Sequence, residues 1–230
     1  SYGSWKTPIT ADLVSSGTTG LGEISINGDV VYWLETRPSE DGRTVLVKLT
    51  PEGEKVDVTP FEFNTRSRVH EYGGAPYLIF DDKVYFTNYE DQRVYEIARG
   101  EEPKPLTPES GYRYADFSVE EESGDIWAVC EDHSGKEEPE NYLVSLSLNG
   151  SPGRGKVVVS GDDFYSSPRF SPSGKKVAWL SWNHPNMPWD GTDLHIGTLN
   201  GENEVVSSKI IAGSENESVT QPKWGPNGDL

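Results

Sequence analysis

Seven residues of this chain occur twice in one pattern. Pro168-Arg-Phe170-Ser-Pro172-Ser-Gly174 returns 54 residues later as Pro222-Lys-Trp224-Gly-Pro226-Asn-Gly228. Proline, a basic residue, an aromatic, a second proline and glycine recur in register. Within the first copy, Pro172, Ser173 and Gly174 predict a tight turn, because proline presets φ and glycine accepts positive φ. The flanking runs are rich in β-branched and aromatic residues, the composition of strands. Lys176–Trp182, Thr192–Leu199 and Lys209–Ala212 then read as the second, third and fourth strands of one unit.

The same unit appears three more times upstream. Ile24–Trp33, Thr44–Leu49 and Lys55–Val58 form one set. Tyr77–Phe86, Arg93–Ile97 and Lys104–Leu106 form the next, and Tyr114–Phe117, Asp125–Cys130, Tyr142–Leu146 and Lys156–Val159 the third. The first-strand anchors Ile24, Tyr77, Phe117, Phe170 and Trp224 are spaced by 53, 40, 53 and 54 residues. Repeats of about 40 to 50 residues with four strands each are the signature of β-propeller blades. Amphipathic helical periodicity is absent from every long segment. The predicted fold is all-β: a partial propeller of four-stranded antiparallel blades. Its blades fall at about 21–60, 75–108, 114–161 and 166–213, with the first strand of a fifth at 220–230. A propeller needs closure to hide its edge strands, so a longer parent protein is expected.

Composition narrows the function. Hydrophobic residues make up only 33%, but aromatics reach 11%, more than a disordered acidic chain would carry. A net charge of −18 disfavours nucleic acid and anionic membranes as partners, since both need basic surface. No apolar run approaches the roughly 20 residues of a membrane-spanning helix. The single cysteine, Cys130, lies in the apolar run Ile126–Cys130 and reads as a buried structural thiol. The four histidines are scattered, and no spacing suggests a metal site or calls for a cofactor. The chain carries no Gly-x-Ser-x-Gly elbow, phosphate-cradling loop or His-Glu-x-x-His, so no catalytic residue is assigned.

Blade topology sorts the loops by face. The crossings between blades and the loops joining second to third strands share one face, which collects Arg66, Arg68, His70, Glu71, Tyr72, Arg113, Asp163, Tyr165, His184, Trp189 and Asp190. Long loops on a rigid scaffold commonly carry binding residues. The crossing 64–74 mixes both charges with aromatics and ends in paired glycines. Two readings stand there. Arginine can hold a ligand's carboxylate and glutamate its amine; alternatively, these groups pair with one another between blades. The candidate substrate-binding residues are Arg68, His70, Glu71, Tyr72, Arg113, Tyr165 and Trp189. The loop Trp182–Thr192 is either an aromatic ledge beside a ligand or a packed surface loop, and the acidic stretch Glu131–Glu140 reads as a solvated loop. His195, in an alternating strand, reads as a packing residue.

Several stretches together resemble a known family. Tyr2–Thr10, Arg66–Gly74, Glu131–His133 with Glu138–Val144, and Ser166–Gly174 through Trp182-Asn-His-Pro-Asn-Met-Pro-Trp-Asp-Gly191 resemble the N-terminal propeller of prolyl oligopeptidase-family serine peptidases. The branch they resemble is the dipeptidyl-aminopeptidase and acylaminoacyl-peptidase-like enzymes of bacteria and plants. The resemblance implies a seven-bladed propeller followed by an α/β-hydrolase domain that bears a Ser-Asp-His triad. It implies a propeller that covers the active site, limits substrates to short peptides and offers charged groups to their amino end. The motif itself does not fix contacts for Arg68, Glu71 or Arg113.

The expected role is therefore a non-catalytic, substrate-selecting domain of a serine peptidase. Its expected partners are a short peptide and the protein's own C-terminal hydrolase domain, and a homo-oligomer is compatible with this. The expected compartment is the cytoplasm or, in a plant, the plastid stroma. The alternative is a non-enzymatic binding propeller.

Overall fold

The computed structural model describes the chain except for residues 1, 2, 5, 12, 14–16, 122, 136, 137 and 152. Tyr2 and Trp5 of the resemblance motif, and Lys136 and Glu137 of the acidic stretch, thus lie outside the described residues. Two units are distinguished, Ser1–Thr65 and Arg66–Leu230.

The first unit holds one sheet of four antiparallel strands in chain order: β1 (Gly20–Asn27), β2 (Val30–Arg37), β3 (Arg43–Leu49) and β4 (Lys55–Asp57). Its interior is the run Val45-Leu46-Val47, fully buried, with Leu34 of β2. Arg37 ties the sheet's rim together: its guanidinium reaches Glu35 at 2.9 Å, Glu40 at 3.1 Å and Asp57 at 2.6 Å.

The second unit repeats the same sheet three times, always antiparallel and in chain order. One sheet is β5 (Tyr77–Phe80), β6 (Lys83–Thr87), β7 (Val94–Ile97) and β8 (Lys104–Pro105). The next is β9 (Tyr112–Val119), β10 (Ile126–Asp132), β11 (Glu140–Leu146) and β12 (Lys156–Val159). The last is β13 (Phe164–Phe170), β14 (Lys176–Trp182), β15 (Thr192–Leu199) and β16 (Val205–Ser214). Four sheets of one design are the all-β propeller class that the repeat predicts.

Strand β10 shows why its sequence is apolar without alternation. Ile126, Ala128 and Cys130 join a core with Tyr85, Val94 and Leu106 of the preceding sheet. Trp127 and Val129 join another with Tyr165, Val177 and Trp179 of the following sheet. A strand covered on both faces reads as a continuous hydrophobic run. Cys130 is fully buried, and burial pushes its thiol pKa up, as a structural role requires.

The first strands carry a recurring irregularity. In β1, β9 and β13 the register slips by one residue, around Glu23, Asp116 and Ser167. All three sit at φ near +50°, a left-handed backbone that non-glycine residues seldom adopt. Asp116 turns this bulge into a staple. Its Oδ1 accepts the Ala75 N–H at 2.7 Å and its Oδ2 the Ser167 N–H at 3.1 Å, joining three sheets through one carboxylate. Gly74 is needed beside it, because a Cβ there would lie 2.9 Å from Ala115 Cβ and from Asp116 Oδ1.

Gln221 repeats that backbone with φ of 54°. The expected first strand at 220–230 is nonetheless not formed. Pro222 and Pro226 donate no N–H, and a local turn closes from Gly225 N to Asp229 O at 2.7 Å. Trp224 instead packs on Ala178, Leu180 and Leu194, and its Nε1 donates to Arg169 O at 2.8 Å.

Candidate functional site

The crossing from Arg66 to Gly74 has no regular secondary structure, so side chains must fix it. Two consecutive residues, His70 (φ 55°) and Glu71 (φ 63°), are left-handed before Gly73 turns the chain at φ 91°. Such strain persists only where the surroundings hold it, and it concentrates at functional sites. Here the holder is Glu131. It stands at the end of β10 with its side chain 6% exposed, accepts the His70 N–H at 2.6 Å, and pairs with His133 Nε2 at 2.9 Å. Arg113, opposite Glu131 in the β9–β10 register, closes the network. Its Nη1 donates to Glu71 Oε1 at 2.7 Å and to Arg68 O at 3.0 Å, and lies 3.8 Å from Glu131. Glu131 and Asp132 thus belong to β10 and Glu140 to β11; the reading of 131–140 as a solvated loop is corrected for its first two residues and its last.

A second latch holds the crossing into β13. Asp163 Oδ2 accepts both the His184 N–H at 2.8 Å and the His184 ring at 3.0 Å. Asn183 answers with its Oδ1 on Asp163 N and its Nδ2 on Asp162 Oδ1. The Asp163 carboxyl is held below the usual aspartate range, first by the His184 backbone N–H and then by the ring.

Between these latches lies a cavity of about 640 Å³, a size suited to a small ligand. Among the described residues, its carboxylates are Glu71, Glu131, Glu138, Glu140, Asp162 and Asp163, and neither lysine nor arginine lines it. Its rings are His70, Tyr72, His133, Tyr142, Phe164, Trp182 and His184, with Met187 beside them. Phe164 and Trp182 stack at 5.5 Å, and His70 meets both edge-on, at 5.8 and 5.0 Å. Burial lowers the His70 pKa, with Glu131 and Asp116 opposing, so the ring is neutral at pH 7; its buried Nε2 has no protein partner. Arg113 holds the Glu71 carboxyl low, and the Glu71 side chain is 80% exposed.

The seven residues chosen from sequence separate in space. His70, Glu71 and Tyr72 line the cavity. Arg113 buttresses Glu71. Trp189 stands outside the lining with its ring 6.1 Å from that of Tyr72. Arg68 faces elsewhere, its guanidinium over the Tyr89 ring at 4.2 Å with Arg66 at 5.1 Å. Tyr165 is fully buried; its hydroxyl accepts the Asp162 N–H at 2.7 Å, and burial pushes its pKa up to about 12. In the loop Trp182–Thr192, Trp182 is buried and packed, while Trp189 is 65% exposed. His195 packs flat on Trp179 at 5.0 Å and bonds Ser181 at 2.8 Å, as expected of a packing residue.

Sequence reasoning missed Glu131, His133, Phe164 and Trp182 as site residues. Their signal was topological: Glu131 and Trp182 end second strands on the face already chosen. Among the described residues, no group of three or more His, Cys, Asp or Glu is placed to hold a metal, and no helix is long and apolar enough to cross a membrane.

Comparison with known structures follows the same lines. A puromycin-hydrolyzing peptidase of Mycobacterium tuberculosis is 36% identical over 97% of this chain, with a TM-score of 0.87. A puromycin hydrolase is 31% identical over 97%, with a TM-score of 0.88. The chain spans 36% and 37% of those two proteins' lengths. A prolyl oligopeptidase B from Galerina marginata, 10% identical, shares the fold over 86% of the chain, with a TM-score of 0.54. No family model matches the chain, and no curated protein does.

Proposed function

We infer, from a chain that belongs with the propellers of prolyl oligopeptidase-family peptidases, that it selects short peptides for a serine-type α/β-hydrolase domain of the same protein. It does so by gripping the peptide's positively charged amino end. One observation carries the choice of end: among the described residues, six carboxylates and no lysine or arginine line the cavity. Arginine was the sequence-level candidate for a peptide's carboxylate. Arg113 is already neutralised by Glu71, and Arg68 is stacked on Tyr89. Glu71 is ionised and open to solvent on the side that Arg113 does not cover. Glu131 is fully occupied in holding His70 and His133, and acts as a positioning residue.

Hydrolysis of aminoacyl and N-acylaminoacyl chromogenic amides by the full-length protein tests this. A charge-assisted hydrogen bond contributes roughly 1.5–3 kcal/mol, so Glu71→Gln should cut kcat/KM on free-amine substrates by about ten- to a hundredfold. N-acylated substrates should lose little. Equal loss on both classes would remove the amine grip, and absence of both hydrolysis and labelling by a serine-reactive phosphonate would remove the peptidase assignment.

A further inference from the structure

Resting on that reading, we propose that Arg66, Arg68 and Tyr89 form a docking point for a carboxylate of the hydrolase domain. Both guanidinium groups lie over one ring: Arg68 is 4.2 Å and Arg66 5.1 Å from the centroid of Tyr89. Two cations gathered on one ring repel each other, and a carboxylate beside them relieves that repulsion. Among the described residues, neither has one. Arg37, Arg43, Arg113 and Arg154 each meet a carboxylate at 3.1 Å or less. Arg66 and Arg68 meet none, in a chain with 38 acidic residues, and the buried Arg68 Nε has no acceptor. The acids next to the ring in sequence do not supply it. Asp91 is occupied by Asn88 Nδ2 at 3.0 Å, the Arg93 N–H at 3.2 Å and the Tyr95 hydroxyl at 2.6 Å. Glu90 is exposed and pairs with neither arginine.

The pair is fixed before any partner arrives. Gln92 is 6% exposed, with φ of 57°. Its Oε1 accepts the Arg68 N–H at 2.8 Å and its Nε2 donates to Tyr89 O at 2.8 Å, so one buried amide ties the crossing to the loop that carries the ring. Arg66 N donates to Thr87 O, at the end of β6, at 3.1 Å. Guanidinium forks presented in this way suit the two oxygens of a carboxylate. The crossing and the β6–β7 loop lie on the face that bears the cavity, but neither arginine lines it. A nucleophile that reaches a peptide held in the cavity must come from a domain lying over this face. The arginines are therefore set against that domain and away from the peptide. Charge selects the same occupant. A net charge of −18 repels free anions, whereas a carboxylate on the same polypeptide is presented at roughly millimolar effective concentration.

Carbodiimide cross-linking of the full-length protein, read by mass spectrometry, tests this with Arg66→Lys and Arg68→Lys. Both changes keep the cation and supply an amine. That amine attacks an activated carboxylate in contact with it: an amide bond forms, and one carboxylate oxygen leaves with the carbodiimide as its urea. The Lys156–Glu204 pair, at 2.7 Å with side chains 56% and 44% exposed, is the internal standard. The expected product joins the introduced amine, in at least one of the two variants, to an Asp or Glu of the hydrolase domain. Links only to acids within residues 1–230, Glu90 included, would overturn the docking and leave the amine grip standing. So would the absence of any link while the standard forms. A linked protein that hydrolyses neither class of amide and takes up no phosphonate would overturn the peptidase reading and leave the carboxylate contact standing.

Discussion

Two histidine–carboxylate pairs face the same cavity, and they are built to different rules. The Glu131–His133 pair is buried, with side chains 6% and 23% exposed, and Glu131 also holds a strained backbone N–H and lies near Arg113. The Asp163–His184 pair sits between two loops with side chains 47% and 58% exposed. Both carboxylates accept a backbone N–H and a histidine ring. The difference is what replaces them when they are lost. Water can take over the donors around Asp163, but it cannot readily reach those around Glu131. The buried pair therefore fixes the shape of the site, while the exposed pair only restrains a loop.

The largest effect expected from this contrast follows Glu131→Ala. The change leaves the His70 N–H and the His133 ring without their acceptor and removes one of the contacts that hold the left-handed turn at His70 and Glu71. Loss of one partner of a buried charged network costs roughly 3 kcal/mol. Denaturant unfolding should show that loss, and Glu131→Gln, which keeps an acceptor, should lose less. A cost under about 1 kcal/mol, as for exposed pairs, would erase the distinction between the two pairs.

A smaller effect should appear at His70. Its pKa is lowered chiefly by burial, below the ordinary value of 6.5. A histidine kept neutral in the folded state takes up its proton more readily when unfolded. Its contribution is therefore complete above pH 6.5 and is lost as the pH falls below that value, by up to about 1 kcal/mol per pH unit. His70→Asn should remove this dependence, since asparagine tolerates the left-handed backbone without an ionisable group. The test is the fall in melting temperature between pH 7 and pH 5. An unchanged fall in the variant would show that His70 is not kept neutral by its surroundings.

The fold was legible because its signal repeats. Pro168–Gly174 and its later copy, with the strand runs between them, place every sheet without reference to distance. The face of the site was legible for the same reason, since alternating strand direction assigns each loop to one end. Which side chains turn inward was not. Arg68 and Glu71 are three residues apart in one loop, but a backbone bond from Arg68 N to Gln92 Oε1 and the Tyr89 ring carry Arg68 away from the cavity that Glu71 lines. Glu131 was hidden by its company: an acidic residue followed by Asp132 and His133 looks solvated unless its place at the end of a doubly covered strand is seen. The missing strand at 220–230 makes a related point. Gln221 keeps the bulge conformation of its counterparts, but a strand exists only in a ladder, and composition cannot supply the partner.

The smallest expected effect belongs to the exposed latch, and it sharpens the contrast best because its sign and size are both constrained. The Asp163 carboxyl titrates below its ordinary value of 3.8, chiefly because the His184 N–H binds the ionised form. The latch is therefore in place above that value and is lost as the pH falls through the lowered one. At neutral pH, Asp163→Ala should cost no more than about 1 kcal/mol of global stability, the range of solvent-screened pairs. Local exchange is the more sensitive probe. The His184 amide, which Asp163 accepts at 2.8 Å, should exchange faster in Asp163→Ala, while the His70 amide, held by Glu131, should not. Opening confined to one loop would mean that the two pairs report separate, local stabilities. Faster exchange at both amides would mean that the latch helps to hold the buried network, and that the crossing at His70 depends on the far side of the cavity as well as on Glu131.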